Sequence, residues 1–92
     1  MIKSFKHKGL KRYWEKNSRS GIQNQHAHKL KLILDFLDAA TIIAEINFPG
    51  SGLHILEPKK DNIWAVIVSG NWRITFRFEN SNVYIVDYKD YH

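Results

Sequence analysis

Side chains that can move protons or bind phosphate gather in the second half of this chain. His54 follows a loop rich in proline and glycine, Arg73 lies in an alternating run, and Asp90, Tyr91 and His92 end the sequence. RNA cleavage by attack of a 2′-hydroxyl needs a base for that hydroxyl, an acid for the leaving 5′-oxygen and cations for the developing charge. These residues could together supply the three roles, and we take them as the candidate catalytic residues.

Each of these residues also has an ordinary structural interpretation. His54 can be an edge residue whose ring nitrogens are hydrogen-bonded, Asp90 can pair with Lys89, and His92 can be an unstructured chain end. For any one residue taken alone, the structural interpretation is the more frequent one. The catalytic hypothesis depends on the combination, because histidine can shuttle protons near neutral pH only where other groups hold the substrate.

One predicted strand carries two arginines on a single face. The run at residues 72–78 alternates apolar and polar side chains, which therefore point to opposite faces of a sheet. The apolar set comprises Trp72, Ile74, Phe76 and Phe78, and the polar set comprises Arg73, Thr75 and Arg77. We expect the apolar set to face the core and the polar set to stay open. A guanidinium fork donates two parallel hydrogen bonds to phosphate, so Arg77 is a candidate substrate-binding residue, although such positions are also charged for solubility.

The histidines do not predict a metal site. The chain has five histidines and no cysteine, and the two nearest in sequence, His26 and His28, would point apart on a helix. The segment Gly50-Ser51-Gly52 lacks the lysine and the helix that follow in a phosphate-binding loop. No metal and no cofactor are therefore expected. The lack of cysteine also excludes a disulfide framework and suits a reducing, cytoplasmic location.

Two amphipathic helices are predicted in the first half of the chain. Over residues 7–16, Leu10, Tyr13 and Trp14 share one face. A second helix is predicted over residues 24–40, with Asn24 or Ser20 as its N-cap and a possible extra turn at residues 41–45. Its apolar residues recur at helical spacing and define one buried face: Ala27, Leu30, Ile33, Leu34, Leu37 and Ala40.

The second half of the chain predicts an antiparallel sheet. Strand-like runs lie at residues 53–56, 63–68, 72–78 and 83–88, and turn-forming residues separate them. Strands that short turns connect are antiparallel. One more short strand is possible at residues 2–5. We therefore predict a single α+β domain over residues 1–92, with two N-terminal helices packed on an antiparallel β-sheet.

The net charge and the hydropathy of the chain limit the classes of partner that the protein can bind. The net charge is +5 at pH 7, and a basic small domain is typical of proteins that bind a polyanion or an acidic protein. The basic N-terminal residues lack the apolar run of a signal peptide, and no apolar run approaches the ~20 residues that cross a bilayer. A membrane is therefore not an expected partner.

The motifs named above resemble those of a known family. Residues 70–78 read Gly-Asn-Trp-Arg-Ile-Thr-Phe-Arg-Phe, residues 83–88 read Val-Tyr-Ile-Val-Asp-Tyr, and the chain ends Asp-Tyr-His. This pattern closely resembles the HigB toxins, the "killer protein" branch of the RelE-like toxins of bacterial toxin–antitoxin modules. The first ten residues and the pair Leu53-His54 after the Pro/Gly loop are similar too. The resemblance spans nearly the whole chain.

The resemblance implies a microbial-RNase, RelE-like fold and a ribosome-dependent mRNA endonuclease. Toxins of this kind cleave mRNA in the ribosomal A site without a metal and stop translation. Their partner is a HigA-like antitoxin with a helix-turn-helix domain, and the toxin–antitoxin complex binds operator DNA. The catalytic residues that it implies are His54, Arg73, Asp90, Tyr91 and His92, with Arg73 on the scissile phosphate.

One position departs from the family pattern. HigB toxins tend to carry a lysine three residues after the histidine of the Leu-His pair, and this chain carries Glu57 there. A carboxylate repels phosphate, so we expect Lys59 or Lys60 to bind the substrate in its place. The alternative hypothesis is a catalytically weakened module that mainly binds its antitoxin or RNA. A DNA-binding domain is a third and weaker hypothesis, since no recognition helix is evident.

Overall fold

The computed structural model describes residues 1–91, and it has an α+β architecture. Two helices, α1 (Lys8–Lys16) and α2 (Ala27–Ala39), precede the strands β1 (His54–Ile55), β2 (Ile63–Ser69), β3 (Trp72–Glu79) and β4 (Asn82–Asp90). The strands form one antiparallel sheet in the order β1-β2-β3-β4. The predicted fold class, with two N-terminal helices on an antiparallel sheet, is confirmed.

Helix α1 is fixed at both ends by local hydrogen bonds. The Nδ1 atom of His7 accepts from the backbone N–H of Leu10 at 3.0 Å, which satisfies one of the free donors of the first turn. Asn17 ends the helix in the left-handed region with φ at 56°. Leu10 and Tyr13 are buried and Trp14 is half-buried, so the predicted apolar stripe faces the core.

Helix α2 starts later and ends earlier than the sequence pattern predicts. Asn24–His26 form a separate 3-10 turn, and the Oδ1 atom of Asn24 accepts from Arg19 instead of capping a helix. After Ala39, Glu45 accepts from the backbone N–H groups of Thr41 and Ile42, so the chain turns away. These backbone bonds lower the pKa of Glu45. The buried face is confirmed: Ala27, Leu30, Ile33, Leu34, Leu37 and Ala40 are all buried.

Two glycines let helix α1 approach the segment that leads to α2. A Cβ added to Gly9 would lie 2.5 Å from the carbonyl oxygen of Gly21, and one added to Gly21 would lie 2.5 Å from the Cα of Gly9. Backbone touches backbone here, so a larger residue has no flexible neighbour to displace. This contact holds the loop between the helices close to the core.

The sheet is built from tight turns and two bulges, one on β2 at Ile67–Ser69 and one on β4. Asn80 and Ser81 form the β3–β4 turn with φ angles of 51° and 62°, which is the type I′ geometry that suits a two-residue hairpin. On β4, an extra residue lies between the pairs Thr75↔Asp87 and Arg77↔Tyr84. The first residues run beside this bulge: Ile2 and Phe5 form isolated parallel bridges to Val83 and Val86. The possible N-terminal strand is therefore reduced to two bridges.

The sheet face opposite the helices is less open than the alternation predicts. Ile74 and Phe76 are fully buried on the helix side, as expected, whereas Thr75 is only 5% exposed on the other side. Thr75 is paired with Ala65 and Asp87, and this row is buried because it lies across the middle of the sheet beneath longer side chains. The prediction that the whole polar set stays open is wrong for Thr75. None of the helices within residues 1–91 has the length and apolarity to span a bilayer.

Candidate active site

A pocket on the sheet face opposite the helices brings together three of the candidate catalytic residues. Its volume is about 210 Å³, and His54, Leu56, Ala65, Arg73 and Tyr91 line it. These residues come from β1, β2, β3 and the segment after β4. Antiparallel pairing thus places side chains from distant parts of the sequence at one point.

The strand that carries His54 is anchored through the loop before it. Ser51 is 1% exposed, and its carbonyl oxygen accepts from the backbone N–H of Ile67 at 2.7 Å. Gly52 follows in the left-handed region, where an added Cβ would lie 2.5 Å from the Cδ1 of Ile67. The left-handed backbone and this close contact with β2 together explain the glycine at position 52.

The ring of His54 is oriented by the same loop. Its Nδ1 atom lies 2.9 Å from the carbonyl oxygen of Gly52. A carbonyl oxygen only accepts, so Nδ1 carries the proton in this bond. In the neutral ring, Nε2 then holds the lone pair, which is the atom that can take a proton from a substrate hydroxyl.

Arg73 is anchored to the turn between β2 and β3. Its Nη1 atom donates to the carbonyl oxygen of Gly70 at 2.6 Å and to that of Trp72 at 3.0 Å. Arginine has five N–H donors, so these bonds leave others for a ligand in the pocket. The side chain is half-buried, and a partly desolvated guanidinium binds an anion more strongly than a fully solvated one.

Tyr91 is held to that same turn by its backbone. Its N–H donates to the carbonyl oxygen of Asn71 at 2.9 Å, and its side chain is 48% exposed. The Nζ atom of Lys89 lies 5.9 Å from the centre of the Tyr91 ring. The next residue, His92, lies outside the described residues, so its predicted role stays a prediction.

Asp90 lies on the other face of the sheet. It is paired with Trp72, whose ring contacts His26 on the helix side, so cross-strand pairing places the Asp90 side chain on that side. Burial raises the pKa of Tyr88, and the negative charge of Asp90 raises it further, against a backbone hydrogen bond from Gln23 that lowers it. Asp90 is itself exposed, lies on the helix side of the sheet and is not among the residues that line the pocket of His54 and Arg73.

The predicted substrate-binding residues lie outside this pocket. Lys59 and Lys60 are exposed in a 3-10 turn, Lys59–Asp61, between β1 and β2, and Glu57 is exposed just before it. Arg77 is half-buried, four residues from Arg73 along the same strand face, or about 13 Å at the usual rise of a strand. These residues can extend a binding surface, but the structure does not bring them to the pocket.

Two charged residues that the sequence pattern did not single out, Lys89 and Asp87, lie close to this site. Lys89 is paired with Arg73 across β3 and β4, and its Nζ lies 3.7 Å from the Oδ2 of Asp87. Both residues belong to the face of Arg73, and the alternation of β4 could have shown this, since Val86 and Tyr88, which alternate with them, are buried on the helix side. As for a metal, residues 1–91 contain no group of three His, Asp or Glu side chains that could hold one.

The helix pair on an antiparallel sheet, with histidine, arginine and tyrosine in one pocket of the free face, is the arrangement that the resemblance to the RelE-like toxins implies. The model of the HigB-like toxins, described as the RelE-like toxin of type II toxin–antitoxin system HigB, matches residues 3–92, and the chain belongs to this family. Among its relatives, Endoribonuclease HigB of Proteus vulgaris is 46% identical over 92 residues, which cover 100% of each chain. The predicted family is thereby confirmed, and membership in it implies an antitoxin partner.

Proposed function

We propose that this toxin domain, residues 1–92, is an endoribonuclease that cleaves mRNA in the ribosomal A site and thereby inhibits translation. One observation carries the proposal: His54, Arg73 and Tyr91 line one pocket on a face of a basic protein. A proton acceptor, an anion binder and a phenol at one place match what 2′-hydroxyl attack on a phosphodiester needs. The relative from Proteus vulgaris, an endoribonuclease by name, supports the same activity.

Each residue of the site has its own role in the proposed reaction. The Nε2 atom of His54 takes the proton of the attacking 2′-hydroxyl, because its Nδ1 is committed to the Gly52 carbonyl. Arg73 binds the scissile phosphate and stabilises the charge that develops on it. As the bond between phosphorus and the 5′-oxygen breaks, Tyr91 and His92 supply the proton that this oxygen takes up. Asp90 positions the end of β4 from the helix side. No cofactor or metal is required by this scheme.

The partners follow from the same proposal. A HigA-like helix-turn-helix antitoxin neutralises the toxin, and the operator DNA is bound only through that complex. The ribosome supplies the mRNA in a fixed conformation, which suits an open pocket that buries little of its substrate. Lys59, Lys60 and Arg77 contact the RNA or ribosomal backbone around the pocket. The site of action is the cytoplasm.

Arg73→Ala tests the proposal. Loss of a charge-stabilising donor is expected to reduce mRNA cleavage on purified ribosomes by about 10²–10³-fold. Arg12→Ala, in an exposed position of α1, removes the same charge elsewhere and is the matched control. Cleavage that is equal in the two variants, with both folded by circular dichroism, would remove Arg73 from the site. Absence of cleavage by the unmodified protein would overturn the proposed activity itself.

A further inference from the structure

The bulge on β4 decides which of the last residues reach the catalytic pocket. Before the bulge, Val83 is buried on the helix side and Tyr84 is paired with Arg77. In a regular strand, every odd-numbered residue after Val83 would also point to the helices, Tyr91 included. The extra residue reverses this order, so that Val86 is buried and Tyr91 lines the pocket. The position of the Tyr91 side chain therefore depends on this bulge.

Ile85 gives the bulge a strained backbone. Ile85 and Val86 lie together opposite the single residue Phe76, and the φ angle of Ile85 is 50°. One common type of bulge places a glycine in this left-handed conformation, because glycine has no Cβ that would clash there. A β-branched side chain such as that of isoleucine rarely adopts it. Strained backbone persists only where neighbouring groups hold it, so the groups that bind Ile85 control the bulge.

Ser4, in the segment that runs beside the bulge, binds both of its residues. The Oγ atom of Ser4 accepts from the backbone N–H of Ile85 at 2.8 Å. The extra residue of a bulge has no partner in the strand ladder, and this hydroxyl supplies the acceptor that the sheet lacks. The carbonyl oxygen of Ser4 accepts from the N–H of Val86 at 3.1 Å. The serine thus holds Ile85 in its left-handed conformation.

The influence of Ser4 on the catalytic pocket runs through β4. Ser4 is not among the residues that line this pocket. Between Ile85 and Tyr91, however, β4 is paired with β3 from Asp87 to Asp90. A rotation of the backbone at the bulge is therefore passed along the paired strand, over about 20 Å at the usual rise of a strand. It ends at the residue that faces the leaving oxygen in the proposed reaction.

We propose that Ser4 is a positioning residue for cleavage: its hydroxyl stabilises the bulge at Ile85 and thereby keeps Tyr91 on the face of Arg73. The inference rests on the proposed ribonuclease activity. Without the hydroxyl the bulge relaxes, and the strand after it turns relative to β3. Arg73 still binds the phosphate, but the phenol is displaced from the leaving oxygen. A lower kcat with an unchanged KM is the expected result.

Ser4→Ala and Ser4→Thr separate the hydroxyl from the rest of the side chain. In Ser4→Ala, kcat for mRNA cleavage on ribosomes should fall about tenfold, because a small displacement of a catalytic group is costly. Ser4→Thr keeps the hydroxyl and should keep most of the rate. Ser20→Ala, in an exposed position between the helices, is the matched control. Unchanged cleavage by Ser4→Ala, or an equal loss in Ser4→Thr, would overturn the role of the hydroxyl.

Ile85→Gly provides a rescue that a merely structural role does not allow. Glycine adopts the left-handed conformation without strain, so the bulge no longer depends on the hydroxyl of Ser4. In the double variant Ser4→Ala/Ile85→Gly, kcat should return to within about twofold of that of the unmodified protein. If Ser4 only stabilises the fold, the second substitution should slow the enzyme further, since glycine weakens a strand. A double variant slower than Ser4→Ala would overturn the proposal.

Amide hydrogen exchange tests the link between Ser4 and Tyr91 without cleavage. The N–H of Tyr91 is bound to the carbonyl oxygen of Asn71, and its exchange should be about tenfold faster in Ser4→Ala. The N–H of Leu34, in the buried face of α2, should exchange at its original rate. Equal acceleration at both sites, or none at Tyr91, would overturn the link. If the unmodified protein does not cleave mRNA, the proposed function fails, and exchange at Tyr91 still decides whether Ser4 positions it.

Discussion

The Nδ1 atom of His26 lies 2.5 Å from the hydroxyl oxygen of Tyr88, in the interior between the helices and the sheet. His26 is 4% exposed and Tyr88 is 5% exposed. Trp72 packs on both rings, with its centroid 5.5 Å from that of His26 and 4.6 Å from that of Tyr88. The pair therefore ties the start of α2 to the last strand, two residues before Asp90 and directly behind the catalytic pocket.

Removing the hydroxyl from Tyr88 should destabilise the protein at neutral pH. Tyr88→Phe leaves the buried Nδ1 of His26 without its partner, which costs about 1–3 kcal/mol in the free energy of unfolding. Urea denaturation of the variant and of the unmodified protein measures this difference. Equal midpoints and slopes at pH 7 would contradict the assigned bond.

The same substitution has a pH signature. Burial and the charge of Asp90 raise the pKa of Tyr88 above its ordinary value of 10.0, so folding favours the protonated phenol. The stability from this preference is complete below about pH 10 and is lost as the pH rises through the folded-state pKa. The stability gap between the unmodified protein and Tyr88→Phe should therefore narrow above about pH 10. The other tyrosines titrate in both proteins and cancel in the difference.

The contact between Gly9 and Gly21 predicts a second effect on stability. Alanine usually stabilises a helix relative to glycine, by about 1 kcal/mol. At Gly9, however, the new Cβ would meet the Gly21 carbonyl at 2.5 Å, and such overpacking costs about 1–3 kcal/mol. Gly9→Ala should lower Tm by several degrees in differential scanning calorimetry, whereas Lys8→Ala, one residue earlier and exposed, should not. A higher Tm for Gly9→Ala would show that the two segments can separate.

Glu57 offers a test of how charge outside the pocket contributes. Glu57→Lys changes the charge near β1 by two units, so RNA affinity should rise and the salt dependence of binding should steepen. If Glu57 weakens the site, cleavage on ribosomes should increase about tenfold, as 1.4 kcal/mol of added stabilisation would give. Unchanged cleavage would indicate that Lys59 or Lys60 already supplies the charge. Glu15→Lys, an exposed position of α1, controls for net charge.

Sequence periodicity predicted the fold well because it reflects burial. The apolar spacing of α2 identified its buried face, and the turn residues located the hairpins, since glycine and asparagine mark the backbone conformations that tight turns need. The predicted start of α2 was wrong because the side chain of Asn24 can either cap a helix or bind a neighbouring side chain. Its side chain binds Arg19, and a 3-10 turn takes the place of a capped first turn.

The site was only partly predictable, because pairing register decides which side chains meet. Alternation along β3 placed Arg73 on the free face, yet it could not show that Thr75 beside it is buried by the neighbouring strands. Alternation puts Asp90 and Tyr91, adjacent in sequence, on opposite sides of the sheet, yet it does not say which of the two shares the face of Arg73. That division depends on the pairing of Asp90 with Trp72 and on the bond from Tyr91 to Asn71.

The two-residue turn Gly70-Asn71 holds both sides of the pocket. The Gly70 carbonyl accepts from Arg73, and the Asn71 carbonyl accepts from the backbone of Tyr91. The guanidinium of Arg73 and the phenol of Tyr91 are therefore anchored to the same turn. Their separation depends on that turn and not on two independent loops. A small change in the length of this turn would therefore alter the distance between Arg73 and Tyr91 and lower the rate of cleavage, although no side chain that meets the RNA is replaced.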